Sequence, residues 1–242
     1  MENTMNNITQ MEQPRSSSQK LPVILVLDTS GSMEGQGMAD LNQGIQCLKT
    51  SILNDAKLQD MIELAIVTFN DDATLERKFD LVSDDTEMPC LSSGGLTNTV
   101  SGVNAALGEI SARKAFYRTH GEQYYRPILF VMSDGASTNS SEELDALKSV
   151  LQKGLDSKAF SYVPVAVGDA ADAAGLAKMS PTSTDERLRK LVRVVKLRDT
   201  KAFAQFFVFL SASVGAAAAE RTGFAEAQLS PEVGSTLTFQ LN

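Results

Sequence analysis

Short apolar runs recur along this chain with amphipathic segments between them, and that alternation narrows the fold more than any other feature. The runs PVILVLD (22–28), IELAIVTFN (62–70), PILFVMSD (127–134), FSYVPVAVG (160–168) and LVRVVKL (191–197) read as strands, the first of them buried. Between them, 38–56, 99–118 and 141–156 place apolar residues at three- and four-residue spacings, as helices with one buried face do. Ser140 or Ser141 is placed to cap the third, with Glu142 and Glu143 favourably sited in its first turn. Strands alternating with helices predict an α/β fold built on a mostly parallel sheet.

One run breaks the pattern. ATLERKF (73–79) alternates apolar and charged residues, which suits an edge strand antiparallel to 62–70 across the turn Asn70, Asp71 and Asp72. A last helix is expected over about 199–213, where four of the chain's eleven Phe residues gather as core. Residues 1–20 are rich in Asn, Gln and Ser and too poor in apolar side chains to offset the entropy of ordering, so a flexible leader is expected there. The reading gives one domain over 21–215 and a C-terminal tail over 216–242.

Composition removes several functional classes. With 30 acidic against 22 basic residues the net charge is −8, which opposes capture of nucleic acid or anionic lipid. Cys47 and Cys90 fit no metal spacing and make no disulfide framework, as expected of free thiols in a reducing cytoplasm. No stretch reaches the roughly eighteen uninterrupted apolar residues of a membrane span, and the N-terminus lacks the pattern of a signal peptide. The expectation is a soluble cytoplasmic protein.

Three polar segments sit where strands end or helices begin. Asp28, Ser30 and Ser32 form D-x-S-x-S directly after the first run, GGLTNT (94–99) precedes a helix, and Ser133-Asp134-Gly135 closes the run at 127–134. In a parallel sheet all three project from one edge, where open α/β sheets bind their ligands. A divalent cation accounts for such a convergence, because Mg2+ takes oxygen ligands in octahedral array, keeps several waters and needs only one or two carboxylates. Ser30, Ser32 and Thr97 would supply hydroxyls, and Asp28 and Asp134 charge, directly or through water. A metal held mainly by neutral hydroxyls stays electrophilic enough to accept an incoming Asp or Glu.

This set resembles the metal-ion-dependent adhesion site of the von Willebrand factor type A domain, over about residues 20–215. The resemblance implies a doubly wound, Rossmann-like sheet with helices on both faces and the metal at its top, Mg2+ first, with Mn2+ or Ca2+ as alternatives. It implies Asp28, Ser30 and Ser32 as the first motif, Thr97 as the threonine and Asp134 as the distal aspartate. Leu96 intervenes between the glycine pair and Thr97, which leaves Thr99 as a rival. DTKAFAQFFVFLSASV (199–214) resembles the closing helix of the TerY-like bacterial branch, named for tellurium resistance. That branch implies a cytoplasmic adaptor or scaffold in stress response or phospho-signalling, with a PP2C-type phosphatase or a protein kinase as partner.

Thr99, Ser133 and Asn139 neighbour the proposed ligands, in supporting or rim positions. Asp169 and Asp172 flank the end of the run at 160–168, where N-capping of a short helix is the simpler reading. His120 is the only histidine and lies in a polar connection, so a Ser-His-Asp triad or a His-rich zinc site has little to draw on. The basic cluster Arg187, Arg189, Lys190 and Arg193 reads as a solvated face. An enzyme alternative is a phosphohydrolase of haloacid dehalogenase type with Asp28 as nucleophile, but its general acid would stand at position 30, which is Ser. A nucleotide switch lacks its glycine-rich phosphate loop. A metal-free structural adaptor is the remaining alternative.

Overall fold

β1 (Leu21–Asp28) is buried along its whole length and lies at the centre of the sheet. The computed structural model of the chain describes residues 19–135, 137–168 and 171–181, together with the backbone of 194–197 and 237–240. β1 pairs in parallel with β2 (Ile62–Phe69) on one side and β4 (Ile128–Ser133) on the other. β5 (Ser161–Val167) follows in parallel on β4, and β6 (Val194–Leu197) on β5. β3 (Ala73–Leu81) closes one edge antiparallel to β2, as its alternating sequence predicts. Residues 216–242 are read from sequence as a tail, yet β7 (Leu237–Gln240) pairs antiparallel with β6 and makes the other edge antiparallel too.

The uninterrupted apolar runs follow from burial on both faces. Leu21, Val23, Leu25 and Leu27 face one way, onto Leu41, Ile45, Leu48 and Ile52 of α1 (Gln36–Leu53) and Leu58 of α2 (Ala56–Met61). Ile24 and Val26 face the other way, onto Val103, Ala106 and Ile110 of α3 (Thr99–His120) and Leu147, Leu151 and Leu155 of α4 (Ser141–Asp156). That is the period-two sorting of strand side chains into two cores.

The helix expected over 38–56 begins earlier and ends at Leu53, because Asp55 diverts the chain. Its carboxylate accepts from the amides of Lys57 and Leu58, ending one helix and capping the next. Ser140 caps α4 in a reciprocal box with Glu143. Asp172 likewise caps α5 (Ala173–Met179) through the Gly175 amide. The helix expected over 199–213, residues 1–18 of the leader, Asp169 and the basic cluster at 187–193 lie outside the described residues, whereas Lys20, read from sequence as the end of that flexible leader, is buried and bridges to Tyr124. Among the described residues no helix is long and apolar enough to cross a membrane.

The strand order β3-β2-β1-β4-β5-β6-β7 places the site. The chain builds outward from β1 to β3, then returns through α3 to start β4 on the other flank of β1. The order therefore reverses between β1 and β4, and the crevice at their carboxyl ends is where such sheets hold ligands.

Candidate metal centre

Asp28 ends β1 in that crevice and is fully buried. Its Oδ1 accepts the Ser30 amide at 2.9 Å, and its Oδ2 accepts the Ser133 hydroxyl at 2.5 Å. Ser133 ends β4, is fully buried, and its oxygen in turn accepts the Gly135 amide at 3.0 Å. Burial pushes the Asp28 carboxyl above the usual carboxylate range, further than the bonds from Ser133 and Ser30 lower it, and Asp134 nearby adds to the push. Among the described residues none of the groups bearing on Asp28 is a cation.

Ser30 is buried and Ser32 exposed, with their hydroxyl oxygens 3.0 Å apart. Two oxygens held at right angles about 2.0–2.1 Å from one Mg2+ lie about 3 Å apart, so this pair fits adjacent positions of one octahedral shell. The Asp28 carboxylate, short of positive charge, suits the same ion. Among the described residues no three His, Cys, Asp or Glu side chains gather as a metal site, so a cation at this edge depends on hydroxyls. The donor set fits the metal that the sequence pattern implies.

Backbone hydrogen bonds sew the three segments together. The Gly31 amide donates to the Gly95 carbonyl oxygen at 3.1 Å, and the Gly94 amide to that of Thr29 at 2.9 Å, joining the first loop to the second. The Thr138 amide donates to the Thr97 carbonyl oxygen at 3.0 Å, and the Thr97 amide to the Thr138 hydroxyl at 3.3 Å, joining the second to the third. Asp134 is half-buried, and its carbonyl oxygen accepts the Asp172 amide at 2.6 Å. Gly135 (φ +94°) permits that approach, since a Cβ there would sit 2.0 Å from the Asp172 carbonyl oxygen.

Thr97 is buried in the second loop. Thr99 is fully buried in the first turn of α3, and its hydroxyl finds no partner among the described residues. Asn139 ties the third loop to α3: its Oδ1 accepts from the Val100 amide and the Ser137 hydroxyl, and its Nδ2 donates to Asn98 Oδ1. His120 is exposed at the far end of the 22-residue α3, about 30 Å of helix from this edge.

Asp71 is a residue that sequence reasoning passed over. Its Oδ1 accepts the Leu96 amide at 3.0 Å, and its carbonyl oxygen accepts the Asn98 side-chain amide at 3.2 Å. Gly95 (φ +76°) rests on it so closely that a Cβ would meet Asp71 Oδ2 at 2.6 Å. The turn after the strand at 62–70 was legible; its place at the carboxyl end of β1's parallel neighbour was the signal that it shares the site's edge.

The family model of the von Willebrand factor type A domain matches residues 23–205, more than half of the chain. No curated protein sequence matches it. Solved structures that resemble it in fold include the following two. The ArnB paralog VWA2 from Sulfolobus acidocaldarius is 14% identical with a TM-score of 0.54, over 79% of this chain and 45% of that one. Proximal thread matrix protein 1 from the mussel byssus, solved with a zinc-occupied MIDAS motif, is 16% identical with a TM-score of 0.52, over 81% and 47%. This chain therefore spans less than half the length of either structure.

Proposed function

The chain belongs to the von Willebrand factor type A family, whose domains are commonly metal-dependent modules of protein–protein interaction rather than enzymes, and from that premise we propose that it captures an Asp or Glu side chain of a partner protein at the β1–β4 crevice. The observation that carries the reading is the pair of Ser30 and Ser32 hydroxyls 3.0 Å apart beside the buried Asp28. Asp28, Ser30, Ser32, Thr97 and Asp134 are the residues proposed to hold the cation, with Mg2+ preferred for its octahedral oxygen shell. When bound, such a cation offers a coordination position to a carboxylate oxygen.

The residues around it do the positioning. Ser133 and the Ser30 amide occupy one lone pair on each Asp28 oxygen and fix the carboxylate in the crevice. The sewn loops hold the Thr97 segment against the first motif. Position 30 offers a hydroxyl and no acid, which favours binding over phosphoryl transfer at Asp28.

The finer reading is an adaptor of the TerY-like branch, cytoplasmic, acting in bacterial stress response or phospho-signalling on a PP2C-type phosphatase or protein kinase. Its support is the likeness of 199–214 to that branch's closing helix. Titration of Mg2+ and Mn2+ into chelated protein tests the site: the wild type binds, and Asp28→Ala and Asp134→Ala do not. A folded wild type that binds neither ion overturns it. Co-purification with a PP2C-type phosphatase or a protein kinase in Mg2+, and its loss in chelator, tests the adaptor role.

A further inference from the structure

Leu96 is 60% exposed, the most exposed large apolar side chain among the described residues, and it immediately precedes Thr97. Its backbone is pinned from three directions. Its own amide donates to Asp71 Oδ1 at 3.0 Å, the preceding Gly95 carbonyl oxygen accepts from Gly31, and the following Thr97 amide donates to Thr138. A loop held this tightly presents its leucine to solvent in a fixed place. Val150, the other exposed large apolar residue among the described residues, stands on α4 rather than in one of the three loops of the site.

We propose that Leu96 is a specificity-determining residue, packing against an apolar side chain that lies one or two positions from the captured carboxylate in an extended segment of the partner. The inference rests on the metal-dependent reading given above. Consecutive Cα atoms are about 3.8 Å apart and an extended chain advances about 3.3 Å per residue, so a segment anchored beside Thr97 brings its first or second neighbour over Leu96. Charge selects the same partner. Asp71, bonded to the loop through the Leu96 amide, and its neighbour Asp72 are both exposed, as is Glu34, which follows the first motif where Gly31 bonds to Gly95. A polyacidic segment meets like charge there, whereas a single acid with an apolar neighbour meets Leu96.

The test is an array of acetylated, amidated hexapeptides carrying one Glu, flanked by Leu, Ser, Asp or Lys. It is probed with wild type, Leu96→Ser, Val150→Ser and Asp28→Ala in Mg2+ and in chelator. Wild type and Val150→Ser are expected to retain Leu-flanked peptides about tenfold better than Ser-flanked ones, and only in Mg2+. Leu96→Ser should keep Mg2+-dependent retention of Glu peptides with that ratio near one, and Asp28→Ala should retain none. A ratio unchanged in Leu96→Ser, or absent in the wild type, overturns the role of Leu96 and leaves the metal reading standing. No Mg2+-dependent retention by wild type overturns the metal reading and this inference with it.

Discussion

The Ser133 hydroxyl donates to Asp28 Oδ2 at 2.5 Å, joining the carboxyl ends of two parallel strands whose residues stand 105 positions apart in sequence. Both side chains are fully buried, so the bond holds the carboxylate in place where solvent does not reach. Of the bonds that lower the Asp28 carboxyl against the upward push of burial, this one contributes most. Ser133→Ala should therefore weaken Mg2+ and Mn2+ binding about 10- to 100-fold, the usual effect of losing a partner behind a metal ligand, with the fold retained. Calorimetric titration at pH 7 checks it, and an unchanged affinity would remove Ser133 from the account.

Asp28→Asn should abolish metal binding and stabilise the metal-free fold. The Asp28 carboxyl lies above its ordinary range in the folded protein, chiefly through desolvation. A raised acid contributes its stability below the unfolded-state value and loses it as pH rises through the folded one, so above the unfolded-state value this buried carboxyl works against folding. Urea midpoints in chelator should rise for the variant at neutral pH, and the gain should vanish at a pH low enough to protonate Asp28 in both states.

Thr97 and Thr99 separate on isosteric substitution. Thr97→Val should lower metal affinity at least about tenfold if its hydroxyl is a ligand. Thr99→Val should leave affinity alone and stabilise by about 1 kcal/mol, because a buried hydroxyl without a partner among the described residues gives up a desolvation penalty. Titration and urea unfolding of both variants decide the matter; the reverse pattern of affinities would transfer the ligand role to Thr99.

The far end of the sheet carries stability without touching the site. Glu63 is buried at the start of β2 and receives Arg113 through two nitrogens and the Tyr117 hydroxyl as a third donor. Arg113 also lies 4.6 Å from the Phe116 ring centroid and 5.0 Å from that of Tyr117. Arg113→Ala strands a buried carboxylate and should cost about 3–5 kcal/mol. Metal affinity of the folded variant should be unchanged, since the cluster sits at the opposite end of β2 from the crevice. A loss of metal binding at urea-free conditions would mean the two ends are coupled.

What the sequence disclosed, and what it hid, divides along a physical line. Strands such as 22–28 and 62–70 were legible because burial on both faces leaves an unbroken apolar signature. The D-x-S-x-S, GGLTNT and SDG segments were legible as candidates because each adjoins a predicted element at the same sheet edge. Asp71 was hidden, because its role is to accept a backbone amide 25 positions away and backbone partners leave no mark on composition. Arg77 interrupts the hydrophobic run and so reads, from sequence, only as a mark of an edge strand. In the structure β3 carries a register irregularity opposite Leu64 and Ile66, and the Arg77 guanidinium donates to the carbonyl oxygens of Leu64, Lys78, Asp80 and Leu81. A charge that interrupts a hydrophobic pattern can thus be the group that satisfies a bulge.

Alkaline pH should expose a weakness on the β5 side of the core. Tyr162 is fully buried, and its hydroxyl has no partner among the described residues; the neighbouring Ser180 hydroxyl donates instead to the Leu176 carbonyl oxygen at 2.8 Å. Burial pushes the Tyr162 phenol up to about 12 against a smaller lowering from the nearby Ser180 hydroxyl, and desolvation raises Tyr117 as well. The unfolded chain ionises these phenols near pH 10 while the folded one keeps them neutral, so their contribution is complete below pH 10 and is lost as pH climbs toward the folded values. Tyr162→Phe removes that loss and the unpartnered hydroxyl together, so the variant should be about 1 kcal/mol more stable at pH 7 and lose less than wild type above pH 10. Urea unfolding from pH 7 to 12 measures both; a variant less stable than wild type at pH 7 would show that the hydroxyl has a partner after all.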